Sequence, residues 1–343
     1  MALYEVHRYL LMTLDPVHVG TGGYSLGRVD NTIVREPGTR IPKIPGTAVH
    51  GAIRSYAARL WGRPEAAGQS QEKIYFPALD PVCYTFGYAK TAAGESQSSS
   101  GVVNIHDARI LFFPVYSLVG PVWATTVRLL KENGFGVECD EPGGDQVYLS
   151  WQRDKELNLG WLMVRCAGQV KITPPREWQN NLVPQQVWNR IVVMSESLFS
   201  HVVNSNLEVR TSVSINPDTG AAEEGALFTY EAIPRSTFLT MDVVVDDFRD
   251  GLPAGQKAVA EAEKRLADVE SKIQQTAEGQ GKERLEKAKK ELDDLVKKHQ
   301  QARWNSAFDV VKAGLEITAV LGVGGMGTRG FGRLKIVESW KMS

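Results

Sequence analysis

Three stretches of this chain carry residue types and spacings that could do chemistry. Gly322–Lys335 reads GVGGMGTRGFGRLK, with six glycines in eleven residues beside Arg329 and Arg333. Glycine tolerates positive φ and close approach by another backbone, and successive exposed amides can form a nest for phosphate oxygens. Arginine adds a charge that does not titrate away. No GK[ST] closes the loop and a strand is expected to follow it, so a P-loop is not supported. The composition suits a loop holding a polynucleotide backbone, the alternative being a tight strand connection with no ligand. The second stretch, His18–Glu36, reads HVGTGGYSLGRVDNTIVRE and sets Asp30 beside Asn31 among small and apolar residues, with Arg28 and Arg35 near it. A carboxylate by such a loop could hold a divalent cation or take a proton from a ribose 2′-hydroxyl. A lone Asp is also a common cap, turn residue or ion-pair member, and His18 a common packed or hydrogen-bonded histidine. The third, Ile44–Arg54, places a helix N-terminus at Gly46–Thr47, where free amides could meet phosphate. His50 and Arg54, at i and i+4, share one helix face and could point at a bound strand or simply at solvent.

These segments need elements to position them. Leu3–Leu14 alternates as a strand does, and the glycine-rich Gly20–Gly27 follows it. Val29–Val34 is extended, Pro37–Gly38 turns, and a helix runs from near Thr47 until Gly62 and Pro64 stop it. Thr91–Gly101 is a small, polar loop. Val102–Val115 and Gly160–Ile172 are strand candidates, with Ile110–Phe113 buried. Ser195–Asn204 is a short helix capped by Ser195. Leu207–Ile215 and Ala226–Ile233 flank NPDTG at 216–220, the pattern of a hairpin, and Thr237–Val245 is a further strand. Residues 255–303 repeat apolar side chains every three or four positions on either side of a break at Glu278–Gly281. That predicts an antiparallel helical hairpin, either a solvated structural arm or a protein-contact arm. Leu315–Leu321 and Arg333–Val337 are expected to be strands around the last glycine-rich loop. Strands and helices in this order predict an α+β fold of ferredoxin-like type.

Composition bounds the answer. The chain has 343 residues, 43% of them apolar and 23% charged, enough for a full core in one elaborated domain or at most two. No apolar run approaches a membrane span, and Met1–Thr13 lacks the pattern of a signal peptide. Cys83, Cys139 and Cys166 form no CxxC pair, which points away from disulfide frameworks and zinc sites and towards a reducing cytoplasm. The net charge is −1, but from Arg35 to Arg63 six cations face one acid, and Gly322–Val337 holds three cations and no acid. Basic surface is therefore concentrated at the two glycine-rich places.

Taken together, HVGTGG…GRVDNTIVREPGT…PKIPGTAVHGAIR, DARILFFPVYSLVGPVWATT at 107–126, NLEVRTSVSINPDTGAAEEGALFTYEAIP at 206–234 and GGMGTRGFGRLKI at 324–336 resemble the RAMP superfamily of CRISPR proteins. More closely, they resemble the repeated backbone subunit of type III-B (Cmr) effector complexes. The resemblance implies an RRM-related, ferredoxin-like palm with an inserted thumb hairpin at 207–233 and the helical hairpin 255–303 as a further insertion, in a single elaborated domain over 1–343. It implies copies stacked along a guide RNA (crRNA), held by Gly20, Gly22, Lys43, Thr47, His50, Arg54, Gly325, Thr328, Arg329, Gly330 and Arg333. It implies a thumb that meets target RNA through Arg210, Ser212, Glu224 and Phe228. Each copy would then cut the target as a metal-dependent endoribonuclease, with Asp30, in the family's GxxD-type segment, as catalytic residue and ligand of a divalent ion, magnesium or manganese. Implied partners are further copies, the large polymerase-like subunit and the small helical subunit, with no membrane. The family's usual lysine in the first helix is His50 here, and the 255–303 hairpin is longer than the family pattern. Other readings are a non-catalytic guide-binding scaffold, a stand-alone mononucleotide enzyme built on Gly322–Gly332, and a metal-free nuclease that trims guide precursors.

Overall fold

A computed structural model describes residues 4–22, 29–68, 73–89, 92, 98–178, 183–249, 251–301 and 304–342, leaving out the side chains of 224–226. Most of the Thr91–Gly101 loop, Leu3 and Arg28 fall outside that set. The chain divides into two compact units.

The larger unit comprises residues 7–49, 106–242 and 318–343 and is built on a mixed sheet. Its strands are β1 (Glu5–Thr13), β2 (Lys43–Ile44), β4 (Ala108–Val115), β5 (Val122–Thr126), β6 (Gln146–Leu149), β7 (Leu157–Leu159), β8 (Leu162–Gln169), β9 (Ile191–Met194), β12 (Phe238–Val245) and β13 (Leu334–Lys341). The sheet order is β7-β8-β6-β9-β5-β4-β12-β1-β13, with β2 pairing β4. The pairs β8–β6 and β9–β5 are parallel, whereas β9–β6, β4–β5, β12–β4 and β1–β13 are antiparallel. Every residue of β5 and β9 is buried. Leu10, Leu111, Phe112, Trp123, Ile191, Val193 and Phe238 meet in this unit's core. Beyond the short helices α2 (Pro81–Phe86) and α3 (Val127–Glu132) in the chain, helix α4 (Glu196–Ser205) starts where Ser195 Oγ accepts from the Leu198 amide, as its sequence predicts. Strands β10 (Glu208–Ile215) and β11 (Ala222–Ala232) form the expected antiparallel hairpin.

The smaller unit comprises residues 1–6, 50–105 and 243–317. Helix α1 (Gly46–Leu60) enters it, and β3 (Val103–Ile105) pairs with the Val243–Val245 end of β12. Helices α5 (Gly255–Gln275) and α6 (Gln280–Gln301) pack antiparallel through Ala262, Val269, Leu292 and Leu295, as the periodicity predicts. A buried Arg63 joins this arm to the loops beside it. It pairs with Glu291 at 3.0 Å and with Asp80 at 3.5 Å, while Glu291 also accepts from the Tyr75 and Phe76 amides.

One expectation is corrected. Leu315–Leu321 is not a strand but the second half of helix α7 (Ala307–Leu321). Ala307, Val310, Val311, Leu315 and Thr318 are all buried and recur at helical spacing, which outweighs the β-branched residues near the end. Gly314 lets α7 approach α1: a Cβ there would lie 2.4 Å from the Ile53 carbonyl oxygen.

Candidate functional site

The two glycine-rich segments lie side by side in the larger unit. The Gly325 amide donates to the His18 carbonyl at 2.9 Å, and the Gly332 amide to the Pro16 carbonyl at 2.9 Å. A side chain at Gly324, with φ of +87°, would run into the His18 carbonyl oxygen at 2.4 Å, so glycine is needed there for close approach. Residues 327–329 form a single tight turn between Met326 and Gly330, both left-handed. Among the described residues, the amides of Met326, Gly327 and Thr328 have no acceptor. Thr328, Arg329 and Gly330 are exposed. This is the nest geometry that favours an anion. The loop follows helix α7 and precedes strand β13, the reverse of a P-loop.

The first segment threads between this loop and the hairpin. Gly20 bridges Ile33, and Asn31 bridges Tyr230 on β11. Three consecutive residues of β11 then hold three different parts of the site. Thr229 binds Asp30: its amide and its hydroxyl each donate to Oδ2 at 2.8 Å, and the Asp30 amide donates back to Oγ1 at 2.9 Å. The Thr229 amide, and then its hydroxyl, hold the Asp30 carboxyl below the usual carboxylate range. Oδ1 has no partner among the described residues. Tyr230 meets the edge of the His18 ring, with centroids 5.7 Å apart, and its hydroxyl lies 3.5 Å from Arg329 Nη1. Glu231 is buried and ion-paired with Arg35 at 2.5 Å, accepts from the Ile33 amide, and Arg35 also donates to Asn204.

His18 is buried. Its Nδ1 lies 2.7 Å from the Glu231 carbonyl oxygen, which can only accept, so Nδ1 carries the proton and Nε2 is left without a partner among the described residues. Gly20 keeps space beside it, since a Cβ there would sit 3.0 Å from Nε2. Arg210, Ser212, Phe228 and Tyr230 share one face of the hairpin, because Arg210 pairs with Tyr230 and Ser212 with Phe228. Arg210 lies 4.9 Å over the Phe331 ring, joining the hairpin to the last glycine-rich loop. The Glu224 side chain lies outside the described residues. Val209, Val213, Ile215 and Leu227 of the hairpin are exposed, an apolar surface with no cover within the unit.

The first helix differs from expectation. Its N-terminus is only partly free: Asp107 accepts from the Gly46 amide at 2.8 Å and from Lys43 Nζ at 2.6 Å, while the Thr47 amide has no acceptor among the described residues. The bond from Asp107 also raises the Lys43 pKa. Thr47 is exposed on the first turn. His50 and Arg54 belong to the smaller unit. Arg54 donates to the carbonyls of Ala66, Phe86 and Gly87, which makes it a support of the fold and not an open contact. His50 stacks edge-on to Phe86, and burial, then Arg54, lowers its pKa. Arg333 pairs with Asp15 at 2.5 Å but stays half exposed.

Gly22 is exposed with φ of +83°, at the last described position before 23–28. Thr229, Tyr230 and Glu231 escaped sequence reasoning because only the strand pairing brings them to Asp30, 199 positions away. The one available signal was polar side chains on a hairpin strand that otherwise alternates.

Among the described residues no group of three or more His, Cys, Asp or Glu side chains could hold a metal ion. Asp30 offers one unpaired carboxylate oxygen. That is no protein-built metal cage, but it fits the role of single protein ligand to an ion otherwise bound by phosphate oxygens and water. No helix among the described residues is long and apolar enough to cross a membrane.

A family model described as "RAMP superfamily" matches residues 10–335. The chain is 26% identical over 254 residues to the "CRISPR system Cmr endoribonuclease Cmr4" of Pyrococcus furiosus, covering 68% of this chain and 80% of that protein. A shorter match, 41% identical over 54 residues, covers 15% of this chain and 23% of the "CRISPR system Cms endoribonuclease Csm3" of Mycobacterium tuberculosis. Among solved structures, oligomeric Cmr4 from Pyrococcus furiosus is similar at 19% identity and a TM-score of 0.46, over 77% of this chain and 89% of that one. A chain of the type III-B Cmr-beta complex bound to cognate target RNA is similar at 17% identity and a TM-score of 0.48, over 70% and 84%.

Proposed function

The chain belongs to the RAMP superfamily, and on that footing we propose that it is the repeated backbone subunit of a type III-B (Cmr) CRISPR ribonucleoprotein, binding guide RNA and cutting complementary target RNA at Asp30. The observation that carries this reading is the attachment of Asp30 to the hairpin strand, beside the last glycine-rich loop, which presents free amides and Arg329. A relative named an endoribonuclease supports the activity. The ferredoxin-like palm would be β1, α1, β4, β12, α7 and β13. Their chain order is β-α-β-β-α-β, and the sheet order β4-β12-β1-β13 suits that fold.

The exposed nest at 326–328, with Arg329 and Lys335, would hold the guide backbone. The hairpin would present the target, with Arg210, Ser212 and Phe228 on one face and the apolar Val213 and Leu227 on the other. The cut would proceed by in-line attack of a ribose 2′-oxygen on the adjacent phosphorus, breaking the bond to the 5′-oxygen of the next nucleotide, which leaves as a hydroxyl, and forming a 2′,3′-cyclic phosphate, with positioning supplying much of the rate. A divalent ion, magnesium or manganese, bound through Asp30 would stabilise charge on the phosphoryl oxygens. Asp30 Oδ1 is the oxygen free to bind it or to receive the hydroxyl proton. Partners would be guide RNA, target RNA, further copies, the large polymerase-like subunit and the small helical subunit, in a reducing cytoplasm that suits three free cysteines.

A guide-binding scaffold is the competing reading, favoured by the use of Oδ2 to tie segment to hairpin. Reconstituting the complex with Asp30→Asn separates the two. We expect the variant to assemble on guide RNA as the wild type does and to lose cleavage by about 100-fold or more. Unchanged cutting at regular intervals would leave the scaffold reading. A target with 2′-deoxy sugars at the cut positions should stay intact in either complex.

A further inference from the structure

An aspartate in a connecting segment ordinarily bonds to donors two or three residues ahead, as a cap or turn residue. Asp30 does something else. Its three hydrogen bonds all go to one residue 199 positions away, on the hairpin strand β11. The bonds are reciprocal. The Asp30 amide donates to Thr229 Oγ1, which occupies the hydroxyl as an acceptor and turns its single proton towards Oδ2. The Thr229 amide reaches the same oxygen. The backbone closes the arrangement on both sides: the Asn31 amide donates to the Thr229 carbonyl, and the Glu231 amide to the Asn31 carbonyl, each at 3.0 Å. One carboxylate oxygen is therefore fixed and the other left open. A β-branched residue on a strand has few χ1 options, which helps to hold the Thr229 hydroxyl in this orientation.

We propose that Thr229 is the positioning residue for Asp30, fixing Oδ2 to the hairpin so that Oδ1 is the oxygen presented to the bound strand. This rests on Asp30 as the cleavage residue. Thr229 touches no reacting atom and acts through the carboxylate alone.

The variants are Thr229→Val, which keeps the shape and the backbone amide but removes the hydroxyl, and Thr229→Ser, which restores it. The readout is a split between turnover and binding in the assembled complex. For Thr229→Val, the single-turnover cutting rate at saturating target should fall about 10- to 100-fold, while the affinities for guide and target RNA and the melting temperature stay at wild-type values. Thr229→Ser should recover most of the lost rate. A Thr229→Val complex that cuts at the wild-type rate, or one whose rate loss is matched by lost target affinity and is not recovered in Thr229→Ser, would overturn the proposal. If Asp30→Asn is inactive while Thr229→Val cuts normally, only the positioning role fails. If Asp30→Asn itself cuts normally, the cleavage reading fails and the positioning role falls with it.

Discussion

Arg54 and Arg329 look alike in sequence, each an arginine in a segment suited to phosphate, yet they should behave oppositely when removed. Arg54 donates twice to the Ala66 carbonyl, at 3.1 and 3.0 Å, once to Gly87 at 2.7 Å and weakly to Phe86 at 3.4 Å. Arg54→Ala takes the partner from three carbonyls in a half-buried place. Hydrogen bonds to a charged group contribute roughly 1.5–3 kcal/mol each, but losses around one side chain are not additive. A total of about 3 kcal/mol is reasonable, which lowers Tm by roughly 6–12 °C at about 2–4 °C per kcal/mol. Arg329 is exposed, and its side chain's one described contact is the long one to Tyr230, so Arg329→Ala should leave stability within about 0.5 kcal/mol. On RNA the order reverses. Removing a contact to a single-stranded phosphate lowers the slope of log K against log salt by about 0.7. Thermal melts of the purified chain and guide-RNA binding from low to high salt measure both. Arg329→Ala should show the smaller slope with unchanged melting, and Arg54→Ala the lower melting with an unchanged slope. An Arg54→Ala protein that melts normally and loses salt dependence would refute the assignment of Arg54 to the fold.

Two further predictions concern the smaller unit. Gly314→Ala should destabilise by about 2 kcal/mol in spite of alanine's better helix propensity, because the new Cβ meets the Ile53 backbone at 2.4 Å and α1 must yield; a lower urea midpoint at constant m would show it, and an unchanged or raised midpoint would count against the close approach. Burial lowers the pKa of His299, whose Nε2 donates to the Leu79 carbonyl while Nδ1 is buried without a partner. Because the folded pKa lies below the unfolded value of 6.5, stability is full above about pH 6.5 and is lost as pH falls from there through the folded value. Tm should therefore decline below pH 6.5, and His299→Gln, which keeps a donor but cannot titrate, should flatten part of that decline; parallel curves would disprove the link.

Legibility followed periodicity. The arm at 255–301 and the hairpin around 216–220 were readable because half-exposed elements alternate polar and apolar at their own period. Strands β5 and β9 were not, since both faces are covered and no alternation marks them. Helix α7 was misread from its last seven residues, where Ile317 and Val320 suggest a strand, while the helical spacing starts earlier, at Ala307 and Val310. At the site, the glycine-rich segments could be recognised by composition, but their contact, through Gly324 and Gly325 on His18, depends on how the ends of the chain meet. One of the two amides expected to be free, that of Gly46, is taken for a reason no local pattern carries: Asp107, 61 positions away, accepts from it.

The three-residue run at Thr229–Glu231 gives the site its physical unity. Side chains alternate along a strand, so Thr229 and Glu231 project to one face and Tyr230 to the other. On the first face they hold Asp30 and Arg35, the two ends of one extended segment. On the second, Tyr230 meets His18 and reaches Arg329 of the last glycine-rich loop. The Glu231 carbonyl also fixes the His18 tautomer. A displacement of this strand therefore acts on the carboxylate and the histidine ring together. Under the proposed function, the group that would cut and the loop that would hold the guide are not independent attachments. Seating the hairpin between paired nucleotides would set both at once, and a target too short or too mismatched to seat it would leave Asp30 out of line with any phosphate.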